Sequence, residues 1–266
     1  MPTLLLPPRH TEDTTRLWRA AIAAGWNTER LTSLRFVPAV QERALAVYGE
    51  PFFASVVARH LGLALLEPSL AWLAELPDAL RRRRVTATTL GEARKQAAPA
   101  FVKPADDKCF PAQVYACGQE LPADSVLPDS IPVLVSEPVA WTIEYRCFVR
   151  EGKVATLSPY LRQGRLAQTD EGAWPAFAEE LARAGEFAQA VLDRVGGSLP
   201  PSVVLDVGVI SGRGWAVVEA NPSWGSGMYG CDPAEVLSVI ARACVPMEAL
   251  TEADRRFLLE RVPESA

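Results

Sequence analysis

The chain has 266 residues, of which 49% are hydrophobic and 22% are charged. This balance excludes a disordered or fibrous protein, and the length suggests one large domain or a few small ones. The formal net charge of −5 argues against bulk attraction to nucleic acid or to an anionic membrane. No apolar run reaches the roughly 20 residues that cross a bilayer. We therefore expect a globular protein with no nucleic-acid partner and no membrane partner.

The first residues, the cysteines and the histidines indicate the cellular compartment and limit the possible catalytic nucleophiles. The start, MPTLLLPPRH, has three consecutive leucines and no basic n-region, so we expect no signal peptide. The five cysteines are never spaced as CxxC, which disfavours a disulfide framework or a zinc site and favours a reducing cytoplasm. His10 and His60 are the two histidines, so a Ser–His triad is disfavoured. A Ser or Cys nucleophile paired with one of them stays open.

Short strands and helices are predicted to alternate in the first third of the chain. Strand patterns lie at 3–6, 33–37 and 44–48, and helical patterns that end at a glycine lie at 11–24 and 51–61. Pro51 suits the first position of its helix. This order favours a small α/β domain with a parallel sheet.

A helical pattern over 70–80, interrupted by Pro77, leads into four consecutive arginines at 81–84. Such a run is typical of a solvated helix end, where cations suit the helix dipole. An anion-facing patch is the alternative. The character of the sequence changes around 88–96, which predicts a domain boundary there.

The middle and last sections are predicted to be rich in strands. Prolines recur through 98–139, which favours short strands and loops. From residue 142 the strands lengthen, and alternation puts Glu144, Arg146 and Phe148 on one face. The remaining patterns predict a hairpin turn at 151–152, a helix over 174–195, a hairpin of strands 203–210 and 215–220, and a closing helix over 233–243.

Two carboxylates and an amide converge in that last hairpin, VVLDVGVISGRGWAVVEANPSWGSG. Period-2 geometry puts Glu219 and Asn221 on one face, and Asp206 lies on the partner strand. A set of oxygen ligands suits Mg²⁺ better than zinc or copper. A bound cation would offset the cost of burying carboxylates, and hydrated groups at strand ends are the alternative.

Basic residues accompany this hairpin. Lys103 and Lys108 lie in FVKPADDK, with surface charge as the alternative for each. Glu144 and Arg146 share a face, and pairing with each other is the alternative to a binding role. Arg162 follows on the next strand. Arginine is the residue type that grips phosphate or carboxylate with two N–H groups.

These motifs occur together and in a fixed order along the chain, and in this the sequence resembles the ATP-grasp superfamily. More narrowly, it resembles the clade of that superfamily named for two arginines and one lysine. The Asp206…Glu219-x-Asn221 hairpin looks like the family's Mg²⁺-binding signature. FVKP resembles the strand that carries the first ATP-binding lysine, and LVSEPV at 134–139 looks like the linker that reads adenine. The resemblance covers roughly residues 86–245.

The resemblance implies an α/β (α+β) chain with the ATP-grasp fold. Residues 1–87 would form a pre-ATP-grasp α/β domain, 88–136 the subdomain with the lysine strand, and 137–266 the metal-binding subdomain, the latter two enclosing the nucleotide. The implied site residues are Lys103, Lys108, Glu137, Val139 and Glu144 for ATP, Asp206, Glu219 and Asn221 for Mg²⁺ or Mn²⁺, and Arg146 and Arg162 for catalysis.

The implied reaction is ATP-dependent, ADP-forming ligation of a small-molecule or peptide carboxylate to an amine through an acylphosphate. A small-molecule kinase and an ATP-binding module without turnover are the alternatives. The family's glycine-rich loop after the first lysine has no counterpart here, because 105–110 contains no glycine. The loop at 223–230 is either an acceptor-binding loop or a plain connection. The oligomeric state stays open, with a homodimer as the commonest case.

Overall fold

The structure is a computed structural model that describes residues 1–32, 45–106 and 108–258. In chain order these residues form β1 (Thr3–Leu6), α1 (Glu12–Ala23), β2 (Asn27–Arg30), β3 (Leu45–Val47), α2 (Pro51–Leu61), β4 (Leu63–Leu65), α3 (Trp72–Glu75), α4 (Asp78–Arg81), β5 (Val85–Thr89), α5 (Leu90–Ala93), β6 (Ala100–Pro104), β7 (Gln113–Tyr115), β8 (Pro132–Ser136), β9 (Trp141–Arg150), β10 (Lys153–Arg162), β11 (Arg165–Leu166), α6 (Ala178–Val195), β12 (Ser202–Ile210), β13 (Gly214–Asn221), α7 (Pro233–Ala243), β14 (Cys244–Pro246) and α8 (Glu252–Arg255).

The predicted parallel α/β unit is confirmed at the start of the chain. β1 lies between β2 and β3 and pairs in parallel with both. Thr11 caps α1 through a capping box. α2 begins at Pro51 and ends at Leu61, and Gly62 caps it with a φ of +63°. β2 was not predicted, because its polar sequence NTER carries no apolar run. The predicted strand at 33–37 lies outside the described residues.

Two antiparallel sheets form the rest of the fold. One has the strand order β5-β8-β6-β7 and presents Lys103 near the end of β6. The other, larger sheet has the order β11-β10-β9-β12-β13. β14 pairs with β4, so residues 244–246 pack beside the first unit. β5 spans residue 87, the proposed first domain boundary, and the division into three domains stays a prediction.

The larger sheet is buried on both faces. One face, with Phe148 and Val204, packs into a core shared with α7 and the first parallel sheet. The other face, with Tyr145, Cys147 and Leu205, packs against α6 and α3. The charged residues of β9 and β12 that share the first face therefore lie where the parallel α/β unit meets the larger sheet.

Several predicted bounds needed correction. The helix pattern over 70–80 is divided into α3 and α4, because Leu76 precedes a proline and is extended. The helix predicted from residue 174 begins only at Ala178. Within the part of the chain that the structure describes, every helix is too short or too polar to span a bilayer.

Of the four consecutive arginines at 81–84, only the first belongs to a helix end. Arg81 is the last residue of α4 and pairs with Asp78. Arg83 is buried and donates to the carbonyl oxygens of Val217 and Val218 at 2.7 and 2.8 Å. Burial lowers the pKa of Arg83 to about 10. Arg83 therefore ties the connection before β5 to β13, a role that the prediction of a solvated run did not include.

Candidate functional site

Five polar side chains meet where β6 approaches the larger sheet. They are called the hairpin cluster below and consist of Lys103, Arg146, Asp206, Glu219 and Asn221. Asp206 lies directly opposite Arg146 on β9 and opposite Glu219 on β13. The antiparallel register therefore aligns Arg146, Asp206 and Glu219. Lys103 reaches Glu219 from β6 of the other sheet, and Asn221 reaches it from two residues along β13.

Arg146 and Asp206 form a buried two-pronged ion pair. The Nε and Nη2 atoms of Arg146 donate to the two carboxylate oxygens of Asp206 at 3.0 and 2.6 Å. The side chains are 8% and 0% exposed. Burial alone would lower the pKa of Arg146, but the charge of Asp206 outweighs it and raises this pKa well above its usual value. The predicted alternative, in which Arg146 pairs with Glu144, is wrong.

Glu219 is held by a lysine and an amide. Lys103 donates from Nζ to one carboxylate oxygen, and Asn221 Nδ2 donates to the other at 2.8 Å. Burial would raise the pKa of Glu219, but Lys103 and Asn221 lower it to about 2. Glu219 is therefore ionised at neutral pH. The alternative that Lys103 is merely a surface charge is wrong, since its side chain is only 19% exposed.

The donor set of the hairpin cluster fits Mg²⁺ or Mn²⁺. Asp206, Glu219 and Asn221 offer carboxylate and amide oxygens, and Asn221 Nδ2 also lies 3.5 Å from Asp206. Among the described ranges, no group of three His, Cys, Asp or Glu side chains comes together as a metal-binding set. Two carboxylates are what Mg²⁺ typically takes from a protein when nucleotide phosphates complete its coordination.

Glu144 lies on the same face as Arg146 but has a different partner. Tyr160 O–H donates to Glu144 Oε2 at 2.9 Å, and the glutamate is 7% exposed. Burial raises the pKa of Glu144 to about 7, and the charges of Asp206 and Glu219 add to this effect. The Tyr160 hydrogen bond acts in the opposite direction. Glu144 can therefore change its charge near neutral pH.

Replacing Glu144 by glutamine is expected to remove a pH-dependent loss of stability. In the wild type, the unfolded carboxyl ionises near its ordinary pKa of 4.5, whereas the folded one holds its proton to about pH 7. The free energy of unfolding should therefore fall between these pH values, by on the order of 3 kcal/mol relative to Glu144→Gln. Urea titrations at pH 4, 6 and 8 measure this difference.

The exposed Glu92 supplies the control for this series, because Glu92→Gln should follow the wild type at each pH. Equal pH dependence of the wild type and Glu144→Gln would contradict the assigned burial of the charge.

Arg146 is also enclosed by aromatic rings. Its guanidinium carbon lies 5.3 Å from the ring centroid of Tyr160 and 4.8 Å from that of Tyr229. Cations attract the faces of such rings. The rings of Tyr160 and Tyr229 stack at 5.1 Å, and Trp174 meets Tyr229 edge-on. These aromatic residues were not predicted, because only the tertiary fold brings them to the arginine.

The loop after β13 is tied down by the first unit of the chain. Asp13 of α1 accepts hydrogen bonds from Met228 N at 3.0 Å and from the Tyr48 hydroxyl at 3.2 Å. Arg16 donates to the carbonyl oxygens of Tyr229 and Cys231. Arg146 donates to Gly227 O at 3.0 Å, so the same loop touches the hairpin cluster. No sequence pattern indicated this contact between segments about 215 residues apart.

Arg162, the second predicted catalytic arginine, is not brought to the hairpin cluster. It lies opposite Ile143, on the face that packs against α6, and its Nη2 donates to Glu180 at 2.7 Å. Counting by twos from Ser158, which faces Arg146, would put Arg162 on the arginine's face. A bulge between Pro159 and Leu161 adds one residue and turns Arg162 to the other side.

The other predicted ATP ligands lie apart from the hairpin cluster. Glu137 accepts from Arg213 Nη2 at 2.6 Å and from the backbone of Arg84, and these bonds lower its pKa to about 2. Val139 is half-buried in the connection between β8 and β9. Lys108 is exposed, and it forms no hydrogen bond or ion pair with the cluster in the described part of the chain.

A cavity of about 90 Å³ adjoins the hairpin cluster. It is lined by residues from β6, from the end of β13 and the loop after it, and from the segment between β4 and α3. Among them are Lys103, Asn221, Trp224 and Glu67. The site therefore has both charged groups and an enclosed space beside them.

Comparison with known families identifies this arrangement. The ATP-grasp domain of family 2 in the clade named for two arginines and one lysine matches residues 80–239. The chain belongs to this ATP-grasp family. The predicted clade is thereby confirmed. The match covers β5 to most of α7 and includes every residue of the hairpin cluster. Membership of an ATP-grasp family implies ATP binding, and no curated protein matches the chain.

Solved structures confirm the predicted ATP-grasp fold. A RimK-domain ATP-grasp protein from Sphaerobacter thermophilus is 17% identical, with a TM-score of 0.51 over 91% of this chain and 98% of its own. D-alanine–D-alanine ligase from Bacillus anthracis, solved with ATP, is 13% identical, with a TM-score of 0.53 over 91% and 95%. The D-cycloserine synthetase DcsG is 14% identical, with a TM-score of 0.53 over 91% and 99%. At these low sequence identities, the structural similarity shows a shared fold and no more.

Proposed function

We propose that this ATP-grasp protein is a Mg²⁺-dependent, ADP-forming ligase that joins a carboxylate to an amine. The observation that carries the proposal is the hairpin cluster, in which a lysine, an arginine, two carboxylates and an amide converge beside a cavity. Two proteins that share the fold are named as a ligase and a synthetase, which supports the same class of reaction.

In the proposed reaction a carboxylate oxygen attacks the γ-phosphorus of ATP, and ADP leaves. The amine then attacks the acyl carbon of the acylphosphate, and inorganic phosphate leaves. Asp206, Glu219 and Asn221 would hold Mg²⁺ or Mn²⁺, which would neutralise charge on the phosphates when bound. No covalent nucleophile of the protein is needed, which agrees with the scarcity of histidine.

The protein's own residues would act by positioning and by charge. Lys103, already aimed at Glu219, would meet phosphate oxygens. Arg146 is held rigidly by Asp206, Gly227 and two tyrosine rings, so its guanidinium would present a fixed positive charge to the carboxylate and the γ-phosphate. A direct role of Arg162 stays a prediction, as do the ATP contacts of Lys108, Glu137, Val139 and Glu144.

The loop at 223–230 is proposed to bind the acceptor. It follows the metal-binding strand directly and is fixed by Asp13 and Arg16. Small-molecule or peptide substrates both suit the proposal. A cytoplasmic location and a homodimer stay predictions.

Product analysis distinguishes the proposal from its alternatives. The protein is incubated with ATP, Mg²⁺ and pools of amino acids and short peptides as carboxylate and amine donors. We expect ADP and inorganic phosphate to form only when both donors are present, and hydroxylamine to trap the acylphosphate as a hydroxamate. A stable phosphorylated product without condensation would indicate a kinase. Nucleotide binding without ADP formation would indicate a module without turnover.

A further inference from the structure

Trp224 lines the cavity, and its buried indole N–H has no acceptor among the residues that the structure describes. The whole side chain is fully buried. Leaving such an N–H unpaired away from water carries a free-energy cost. A ligand that supplies an acceptor would recover that cost.

The surroundings of Trp224 indicate the chemistry of that acceptor. Lys103 and Asn221, which also line the cavity, bring further N–H donors. Glu67, Asp106 and Glu219 bring carboxylates to the same lining, so an anion would enter together with a divalent cation. An oxyanion oxygen, from a phosphate or from a carboxylate, satisfies both requirements.

A second tryptophan of the cavity shows the contrast. Trp72 also lines it and is buried, but its Nε1 already donates to Ser198 Oγ at 3.0 Å. The two indoles therefore differ in one respect that bears on a ligand, namely whether the N–H is engaged by the protein.

We infer that the indole N–H of Trp224 donates a hydrogen bond to an oxyanion oxygen of the ligand in this cavity, and so helps to position it. The inference rests on the proposed function for the identity of the ligand, either a nucleotide phosphate or the acceptor carboxylate. Trp224 also lies in the loop at 223–230, which directly follows the metal-binding strand. Its N–H would therefore lie where the two substrates are proposed to meet.

Indole N–H resonances test the inference in the full-length chain. The protein is labelled with ¹⁵N-tryptophan in the presence of Mg²⁺, and the Trp224 signal is assigned with Trp224→Phe, or by elimination among the seven tryptophans if that variant does not fold. The probes are AMPPNP, inorganic phosphate, and acetate added to the AMPPNP-bound protein. A downfield shift of the Trp224 proton, with the Trp72 proton unmoved, is the expected result.

The probes distinguish the two sources of the oxygen. A shift with AMPPNP and phosphate would assign the hydrogen bond to the nucleotide, and a shift only after acetate is added would assign it to the carboxylate substrate. A Trp224 signal that stays unmoved with all three probes, while calorimetry records AMPPNP binding, would overturn the inference and leave the proposed function standing. A shift with phosphate in a protein that never forms ADP would support the inference and contradict the proposed function.

Matched variants give an independent readout. Trp224→Phe should weaken binding of the probe that shifts the signal by about tenfold. It should also lower the unfolding midpoint, because a smaller ring leaves a cavity in the core. The control is Trp18→Phe, at an exposed position outside the cavity lining, and it should leave probe binding unchanged. Unchanged probe binding in Trp224→Phe would contradict the inference, because the N–H would then make no bond to the ligand.

Discussion

Replacing Glu219 by glutamine is expected to lower turnover on the order of 100-fold or more. The change removes one of the two carboxylates of the hairpin cluster and, with it, the charge that Lys103 faces. The amide can still accept the hydrogen bond from Asn221, so the local structure should persist. Release of ADP under saturating ATP and substrates measures the effect.

The control for this variant is Glu92→Gln. Glu92 also pairs with a lysine, Lys95, but the pair is exposed and lies outside the cluster. This control should keep turnover within experimental error. Turnover of Glu219→Gln near the wild-type rate, with an unchanged unfolding midpoint, would rule out Glu219 as a ligand of the reacting centre.

Arg146→Met is expected to destabilise the protein by about 3–5 kcal/mol. The guanidinium is the partner of Asp206, which is 0% exposed, so its loss leaves a carboxylate buried without a counter-charge. Because protonation would relieve that charge, the loss should be smaller at pH 5 than at pH 8. Urea unfolding at both pH values measures it. Adding Asp206→Asn to Arg146→Met should restore part of the stability.

Arg162→Met supplies the matched comparison. Arg162 and Glu180 are each 34% exposed, so this pair should contribute less than about 1 kcal/mol. An equal loss from the two arginine variants would contradict the assigned difference in burial. The same variant tests the predicted catalytic role of Arg162, which requires turnover to fall while stability is kept.

The parts of the site that sequence could predict are local. Asp206, Glu219 and Asn221 belong to one hairpin with a short turn, and antiparallel pairing across such a turn determines which side chains share a face. The parallel unit at the start of the chain was predictable for a similar reason, since caps and glycines mark its helices.

Other features depend on pairing between distant segments. The Arg146–Asp206 pair joins residues 60 apart in the chain, and neither strand pattern contains the register that aligns them. The bulge that turns Arg162 away adds a single residue within a strand that reads as regular. The bonds from Asp13 and Arg16 to the loop after β13 arise only when the first unit packs on the larger sheet.

Calorimetric titration of ATP, with and without Mg²⁺, tests the central claim that the nucleotide binds at the hairpin cluster. The wild type, Glu219→Gln and the control Glu92→Gln are compared under the same conditions. We expect the wild type and the control to bind ATP with an affinity that depends on Mg²⁺, and Glu219→Gln to lose or greatly weaken that dependence. Binding that is equal in all three proteins and indifferent to Mg²⁺ would contradict the assignment of the site.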